Sequence, residues 1–370
     1  MKILVIANMF PSKEYPSYGI FVKNHIHILE KAAKTVDTIT MKKEISRFKK
    51  MMTYLNFYWQ ILVTLLFKQH DLIYLHYASH SALPILFAKL LNPRINLTVN
   101  LHGSDVFPET SIQKRLQKWV ERLLKEANHV VVPSDYFKKV VVKRYNLKAD
   151  NILISPSGGV NRNLFAPKEK RPNNNSMCVG YVGRIDIDKG WDDALYGFAE
   201  FKREVTGSVQ LIMVGSGKEN KQKEALIKEL GIEASVTCYD LLPQEELVAL
   251  YNEMDVLLFP SRRKGESLGL VGLEAMACGT PVIGSEIAGI KGYLIDGQNG
   301  YFTEAGNPST IAHKLIQFER TSFEERQKLR QNALHTAIPY DEKIVQDNMI
   351  ELLPRLTKKL RLEANSDFHR

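Results

Sequence analysis

Apolar, β-branched runs alternate with amphipathic helical patterns along nearly all of this chain, and the alternation breaks only once. The runs Lys2–Ala7, Leu72–His76, Asn96–Leu101, His129–Val132 and Ile152–Ser155 read as strands. Helical patterns lie between them, notably Ile20–Ala33, Ile112–Ala127 and Asp135–Tyr145. Strands that are apolar on both faces and separated by helices imply a parallel, doubly wound sheet covered by helices. The break is Asn163–Ser176, a polar stretch rich in Pro and Asn that reads as a linker. Beyond it the alternation restarts with strands Met177–Val182, Gln210–Val214, Ser235–Cys238, Val256–Phe259 and Pro281–Gly284. Helices Trp191–Glu204, Lys221–Leu230, Gln244–Met254 and Leu270–Ala277 accompany them. The expectation is an α/β chain of two Rossmann-like domains, 1–165 and 177–340, facing each other across a cleft. A last amphipathic stretch, about Asp341 to Leu362, has no strand after it and is expected to pack back onto the first domain, as part of 341–370.

Ligands of open α/β sheets bind beyond the carboxyl ends of the strands, so the chemistry is sought there. Asp255–Ser261 reads as a buried strand ending in a turn. After it come Glu266, Gly269, Gly272 and Glu274, and then an apolar helical segment closed by Gly279-Thr-Pro281. A glycine loop running into a helix offers free N–H groups and the positive end of the helix dipole to phosphate. Glu274, a turn into that helix, is placed to accept hydrogen bonds from sugar hydroxyls, and Glu266 faces the other end of such a ligand. Taken alone, two carboxylates at this spacing read as solvated charges; the buried strand before them is what points to a site. In Gly183-Arg-Ile-Asp-Ile-Asp-Lys-Gly190, Arg184 and Lys189 supply two cations in the first βα loop, suited to a diphosphate whose charge develops as it leaves. Asp186 and Asp188 have the form of a metal pair, but those cations argue against metal.

In the first half, Asn100-Leu-His-Gly-Ser-Asp105 puts His102 at the carboxyl edge of a strand. Near the start, Gly19 precedes a helix and would let backbone approach a phosphate. Gly215-Ser-Gly217-Lys218 fails the P-loop pattern, with Ile212 and Glu219 at the positions that decide it.

Together, Gly19, His102-Gly103, Gly183-Arg184…Lys189-Gly190 and Glu266…Glu274-Ala-Met-Ala-Cys-Gly-Thr-Pro281 resemble glycosyltransferase family 4 over nearly the whole chain. The resemblance implies a GT-B fold and retaining transfer from a nucleotide-sugar donor, UDP-linked, with no metal or other cofactor. It implies that Arg184 and Lys189 bind the donor diphosphate and that Glu274 binds the ribose. Gly269, Leu270 and Val271 would offer backbone N–H groups, and Gly19 would serve as a further phosphate contact. Glu266 would contact the transferred sugar, and His102 would lie at the reaction centre. The opening Asn8-Met-Phe-Pro-Ser12…Pro16…Gly19-Ile-Phe-Val22 is similar to bacterial members that build teichuronic acid, capsule or exopolysaccharide. That likeness implies a glycan or polyprenyl-linked acceptor in cell-surface polysaccharide synthesis, on an acceptor-side first domain. The chain departs from the family pattern twice, with Tyr18 where many members carry a second glycine and Ser267 where glycine is frequent. A GT-B sugar-nucleotide epimerase is the alternative enzyme.

Charge bears on partners. Residues 1–170 carry 26 Lys and Arg against 12 Asp and Glu, whereas residues 171–370 carry 24 against 29. A basic half beside a mildly acidic one points to an anionic partner for the first domain alone. The basic run Lys42, Lys43, Arg47, Lys49 and Lys50 precedes an aromatic and aliphatic helix, Met51–Phe67, and Gln113–Lys125 forms a second basic amphipathic face. Both suit an anionic leaflet, so peripheral attachment to the cytoplasmic face of the plasma membrane is expected. The other reading of the first run is a core helix with a solvated basic end. Nucleic acid is disfavoured, because no recognised binding motif is present. Met1–Ala7 lacks the features of a signal peptide, and the apolar run Ile61–Phe67 is too short to span a bilayer. Cys178, Cys238 and Cys278 have no metal-ligand spacing and read as buried, reduced thiols.

Overall fold

The computed structural model describes residues 1–15, 18–168 and 176–357. Pro16, most of the expected linker (169–175) and the end of the C-terminal stretch (358–370) lie outside the described residues. The chain divides into two units, Met1–Gly158 with Gln346–Arg370, and Gly159–Val345.

Among the described residues the first unit has a six-stranded, all-parallel sheet. Its strands are β1 (Lys2–Phe10), β2 (Thr35–Lys42), β3 (Leu72–His76), β4 (Leu97–Asn100), β5 (His129–Val132) and β6 (Ile152–Ile154). Their order is β2-β1-β3-β4-β5-β6. The central strands carry apolar residues on both faces, as a sheet covered by helices requires. Leu4, Ile6, Ile73, Leu75, Leu97 and Val99 join one core layer. Ile3, Val5, Leu72 and Tyr74 join the other, together with Met349, Leu353 and Leu356 of the last helix, Glu342–Thr357. Asn96 ties that helix down by donating to the Leu356 carbonyl at 2.9 Å.

The second unit repeats the plan with β7 (Ser176–Val182), β8 (Ser208–Val214), β9 (Val236–Tyr239), β10 (Val256–Phe259), β11 (Val282–Ser285) and β12 (Gly300–Thr303). Its order is β12-β11-β10-β7-β8-β9, again all parallel. The division falls at Gly158, earlier than position 165, because Val160 and Phe165 are buried in the second unit's core. Gly159 is left-handed (φ +76°) and its Cα faces the Tyr340 carbonyl too closely for a side chain.

Strand order places the sites. Neighbouring connections leave in opposite directions between β1 and β3 in the first unit, and between β7 and β10 in the second. These switch points open a crevice at the strands' carboxyl ends.

Several elements carried weak sequence signals. β2 is an edge strand with half of its side chains exposed, and its Thr-rich sequence, interrupted by Asp37, hid it. The helix Ala78–Leu91 contains Pro84 and is apolar almost all round, which removes the helical period. The expectation of three buried thiols is corrected. Cys278 is buried, but Cys178 is partly accessible and Cys238 is exposed, because edge strand β9 turns its side chains outward.

Candidate functional site

In the second unit, the loops after β7 and β10 are held together by backbone. Gly190 is left-handed (φ +67°), and any side chain on it would collide with the Pro260 carbonyl. Arg262 donates its backbone N–H to the Asp188 carbonyl at 2.9 Å. Arg262 also pairs with Asp192 (2.9 Å) and, through Nε, with buried Asp193 (2.7 Å), which clamps the loop to the helix Trp191–Glu204.

That clamp delivers Lys189 to Glu266. Lys189 Nζ lies 2.6 Å from Glu266 Oε2, and buried Ser261 donates its hydroxyl to the same oxygen at 3.1 Å. Glu266 is only 8% exposed, so this pair is screened little by water. Glu266 is fixed from behind as well, since its carbonyl accepts the Gly289 N–H at 3.0 Å.

The helix Leu270–Ala277 starts at Gly269, with φ +79°. A Cβ there would stand 2.7 Å from the Phe259 ring and 3.1 Å from the Tyr293 hydroxyl. The Gly269 carbonyl accepts from that hydroxyl (3.1 Å) and from the Gly272 N–H (3.0 Å). Leu270 and Val271 stand in the first helical turn, whose N–H groups have no intrahelical acceptor and sit at the positive end of the dipole. One turn on, Glu274 accepts from the Tyr251 hydroxyl at 3.1 Å, and burial pushes its carboxyl up to about 7. Arg184, by contrast, is half exposed and spends its charge on Asp186 and, at 3.9 Å, on Asp188.

The structure therefore gathers Lys189, Glu266, Gly269, Leu270, Val271 and Glu274 on the two loops at the switch point, and sets Arg184 at the rim of the same loop. An ammonium beside a helix N-terminus suits a di-anion, and the flanking carboxylates suit hydroxyls. Asp186 and Asp188 face Arg184 and Arg263. Among the described residues no group of three or more His, Cys, Asp or Glu is arranged to hold a metal.

In the first unit, His102 follows β4 and opens a one-turn helix, Gly103–Val106. Its backbone N–H donates to Asp105 Oδ2 at 3.1 Å, and buried Asp105 takes the Ser79 N–H and hydroxyl on Oδ1. The imidazole stacks on Tyr77 with ring centroids 4.4 Å apart and lies 4.9 Å from Phe21. Tyr77 holds φ +61°, a conformation costing a non-glycine residue roughly 1–3 kcal/mol. Burial holds His102 down at about 3, hence neutral at any physiological pH. Gly19 (φ +76°) starts the helix Ile20–Ala32, and a Cβ on it would lie 2.9 Å from Met9 backbone. The close approach that requires glycine there is to the chain's own β1. Lys42, Lys43, Arg47, Lys49 and Lys50 are all exposed, around the start of the helix Arg47–Phe67. Lys43 also rests 4.1 Å from the Tyr15 ring centre.

Sequence reasoning passed over His25, His76, Ser261, Tyr251 and Tyr293. A signal was present for His76, the one titratable residue at the carboxyl end of an otherwise apolar strand. The two tyrosines are far from the site in sequence and carried none.

Residues 164–336 match the family described as glycosyl transferases group 1, and residues 30–158 match glycosyltransferase family 4. D-inositol 3-phosphate glycosyltransferase of Corynebacterium diphtheriae is 30% identical over 67% of this chain and 62% of its own length. N-acetyl-alpha-D-glucosaminyl L-malate synthase of Bacillus anthracis is 28% identical over 67% of this chain and 65% of its own. The match thus spans just under two thirds of these relatives. Among solved structures, sucrose-phosphate synthase of Thermosynechococcus elongatus superposes with a TM-score of 0.77 at 21% identity, covering 96% of this chain and 99% of that one. Anabaena HepE in complex with UDP gives 0.74 at 18%, covering 96% and 100%. These likenesses establish the GT-B fold. Two consecutive family matches, on two parallel sheets of the expected kind, make this chain a member of glycosyltransferase family 4.

Proposed function

We propose that the protein is a retaining glycosyltransferase that moves a sugar from a UDP-linked donor to a glycan or lipid-linked acceptor in cell-surface polysaccharide synthesis. The observation that carries this reading is the Lys189–Glu266 pair beside the glycine-capped helix at Gly269. Lys189 has two N–H groups left for diphosphate oxygens, helped by the N–H groups of Leu270 and Val271. Glu266 has Oε1 left for hydroxyls of the transferred sugar, and Glu274 takes the ribose. In the step, the bond from the anomeric carbon to the diphosphate breaks while the acceptor oxygen bonds that carbon on the same face. The acceptor proton passes to a diphosphate oxygen, and Lys189 and the helix dipole stabilise the leaving charge. His102 stays neutral and serves the sugar as a hydrogen-bond partner.

The named relatives and the HepE complexes with UDP and with UDP-glucose support a nucleotide-sugar donor, and a lipopolysaccharide galactosyltransferase of the same fold supports a surface glycan. The deciding experiment is a thermal-shift panel of sugar nucleotides followed by product analysis. A donor at a hundred times its Kd adds about 2.7 kcal/mol to the folded state. Product anomeric configuration is then read by NMR. The proposal fails if no sugar nucleotide raises the melting temperature, or if the product is inverted. A donor converted with no acceptor present would instead identify an epimerase.

Membrane attachment belongs to the same reading. On the helix Arg47–Phe67, Phe57, Ile61 and Leu65 are buried while Phe48, Met51, Met52, Leu55 and Trp59 form an exposed stripe. The basic residues 42–50 flank its start, and the helix Ala78–Leu91 exposes Leu83, Phe87, Leu90 and Leu91. An apolar stripe with basic flanks fits an anionic leaflet. No helix among the described residues is long and apolar enough to cross a membrane. Vesicle co-sedimentation tests the attachment; equal binding to neutral and anionic vesicles at low salt would refute it.

A further inference from the structure

His102 is the last of three imidazoles in a row. His25 Nδ1 lies 2.7 Å from His76 Nε2, and His76 Nδ1 lies 3.2 Å from His102 Nε2. The three come from different elements: His25 from the helix Ile20–Ala32, His76 from the end of β3, and His102 from the end of β4. β3 borders the first unit's switch point, and β4 is the next strand in the sheet. The rings are held by their neighbours: His25 lies tilted against Tyr74 (4.5 Å, 52°), His76 is near-parallel to His102 (5.5 Å, 24°) and His102 stacks on Tyr77. His76 is 1% exposed, and His25 Nε2 is buried with no partner among the described residues.

A neutral imidazole has one N–H and one bare nitrogen. Each bond in the row needs one of each. Choosing the tautomer of any ring therefore chooses the other two, and the row has just two arrangements, in which all three rings point the same way. Neither end is free to choose at random, because the buried His25 Nε2 must be bare or carry an unpaired N–H, and these differ in cost. A charged ring is disfavoured too, since burial holds all three imidazoles far below their ordinary range.

We propose that His76 and His25 are positioning residues that lock His102 in a single neutral tautomer, with its proton on one defined nitrogen, in a ring whose other side faces the Asp105 backbone N–H of the capping box. This rests on the reading of His102 as a partner of the transferred sugar. A sugar hydroxyl can donate to an imidazole or accept from it, and an unlocked ring would be in the wrong form part of the time. The lock removes that loss without placing a charge at the site.

The test is long-range ¹H–¹⁵N spectroscopy of protein labelled at histidine, assigned with single variants. His102 is expected to show one tautomer, of either hand, in the native protein. In His76→Phe, which keeps ring stacking but deletes both bonds, the His102 signals should move to averaged values. His25→Phe should shift them as well, although residue 25 does not touch His102, and it provides the readout if His76→Phe fails to fold. His76→Asn, whose amide stands where Nδ1 stood, should restore a single form. Transfer should fall about fivefold to tenfold in kcat in both phenylalanine variants, with the donor KM unchanged. A mixed tautomer in the native protein overturns the proposal, and so does a His102 spectrum indifferent to both phenylalanine variants. Normal transfer by His102→Ala would instead overturn the sugar-partner reading, and the spectra would still decide the lock.

Discussion

The two units share one architecture and put their candidate groups at the same topological place, yet the two places are electrostatic opposites. In the second unit the switch point is dense with paired charge: Lys189 with Glu266, Arg184 with Asp186, Arg262 with Asp192 and Asp193. In the first, three imidazoles held neutral by burial meet Phe21, Tyr74 and Tyr77. Parallel sheets supply the crevice in both. What differs is the chemistry grafted onto it, so the fold marks the two places and the side chains set what each is suited to bind. Fixed charge suits a diphosphate. A neutral hydrogen-bonding surface suits sugar, which carries no charge to match.

If that division of labour is right, the largest effect comes from breaking the charged pair. Lys189→Ala should lower transfer on the order of 10²-fold. It also leaves Glu266 buried without its cation, a loss of about 3 kcal/mol or more. Combining it with Glu266→Gln should restore much of the stability and none of the activity, as followed by melting temperature and initial rate. Near-normal turnover by folded Lys189→Ala would remove the distinction between the two sites.

Much of this contrast was legible in the sequence, and the reasons why the rest was not are physical. Glu266, Gly269, Glu274, Lys189 and Arg184 stand within two short segments, so local spacing brought them out. Strands buried on both faces, such as Val256–Phe259, were readable from their apolar runs. The histidine row is different, because residues 25, 76 and 102 meet only through the order β1-β3-β4, which no local pattern encodes. The rank of the two cations was equally hidden. Lys189 and Arg184 look alike in a motif, and only packing shows one half exposed and neutralised by aspartates and the other sealed against Glu266.

Acidification should push the two units in opposite directions. His25 and His102 are depressed from 6.5 to about 4 and about 3, and His76, His80 and His129 are also lowered. Each takes up a proton more readily when unfolded, so the first unit is most stable above about pH 6.5 and weakens as pH falls toward 4. Asp105, raised by burial, opposes this at the acid end. Glu274 is raised from 4.5 to about 7, so its contribution runs the other way: the second unit gains stability as pH falls from above 7 toward 4.5. Hydrogen exchange at pH 7.5 and 5.5, corrected for intrinsic rates, should show protection falling several-fold around β3 and β4. Around 244–278 it should rise. The same direction in both units would break the comparison.

Glu274 sharpens it further through binding. A ribose hydroxyl donates best to the ionised carboxylate, so donor affinity should rise severalfold between pH 6 and 8. Glu274→Gln should bind more weakly and with a flat profile over that range, apart from the ionisation of the donor phosphate itself. Calorimetric titration with the stabilising sugar nucleotide measures both. A wild-type profile as flat as that of the variant would mean that Glu274 does not contact the ligand.

The smallest effect expected is at Arg184. Its guanidinium is already shared between Asp186 and Asp188 and is half open to solvent, where such pairs contribute only about 0–1 kcal/mol. Arg184→Ala should leave the melting temperature almost unchanged and weaken donor binding about threefold to tenfold, well short of Lys189→Ala. Its loss should also diminish as salt rises from 50 to 500 mM, because an exposed charge is screened while the sealed Lys189 is not. Equal, salt-insensitive losses at the two positions would show that the diphosphate draws Arg184 away from its aspartates. The charged site would then be assembled by its ligand, whereas the neutral one in the first unit is already in place before any ligand arrives.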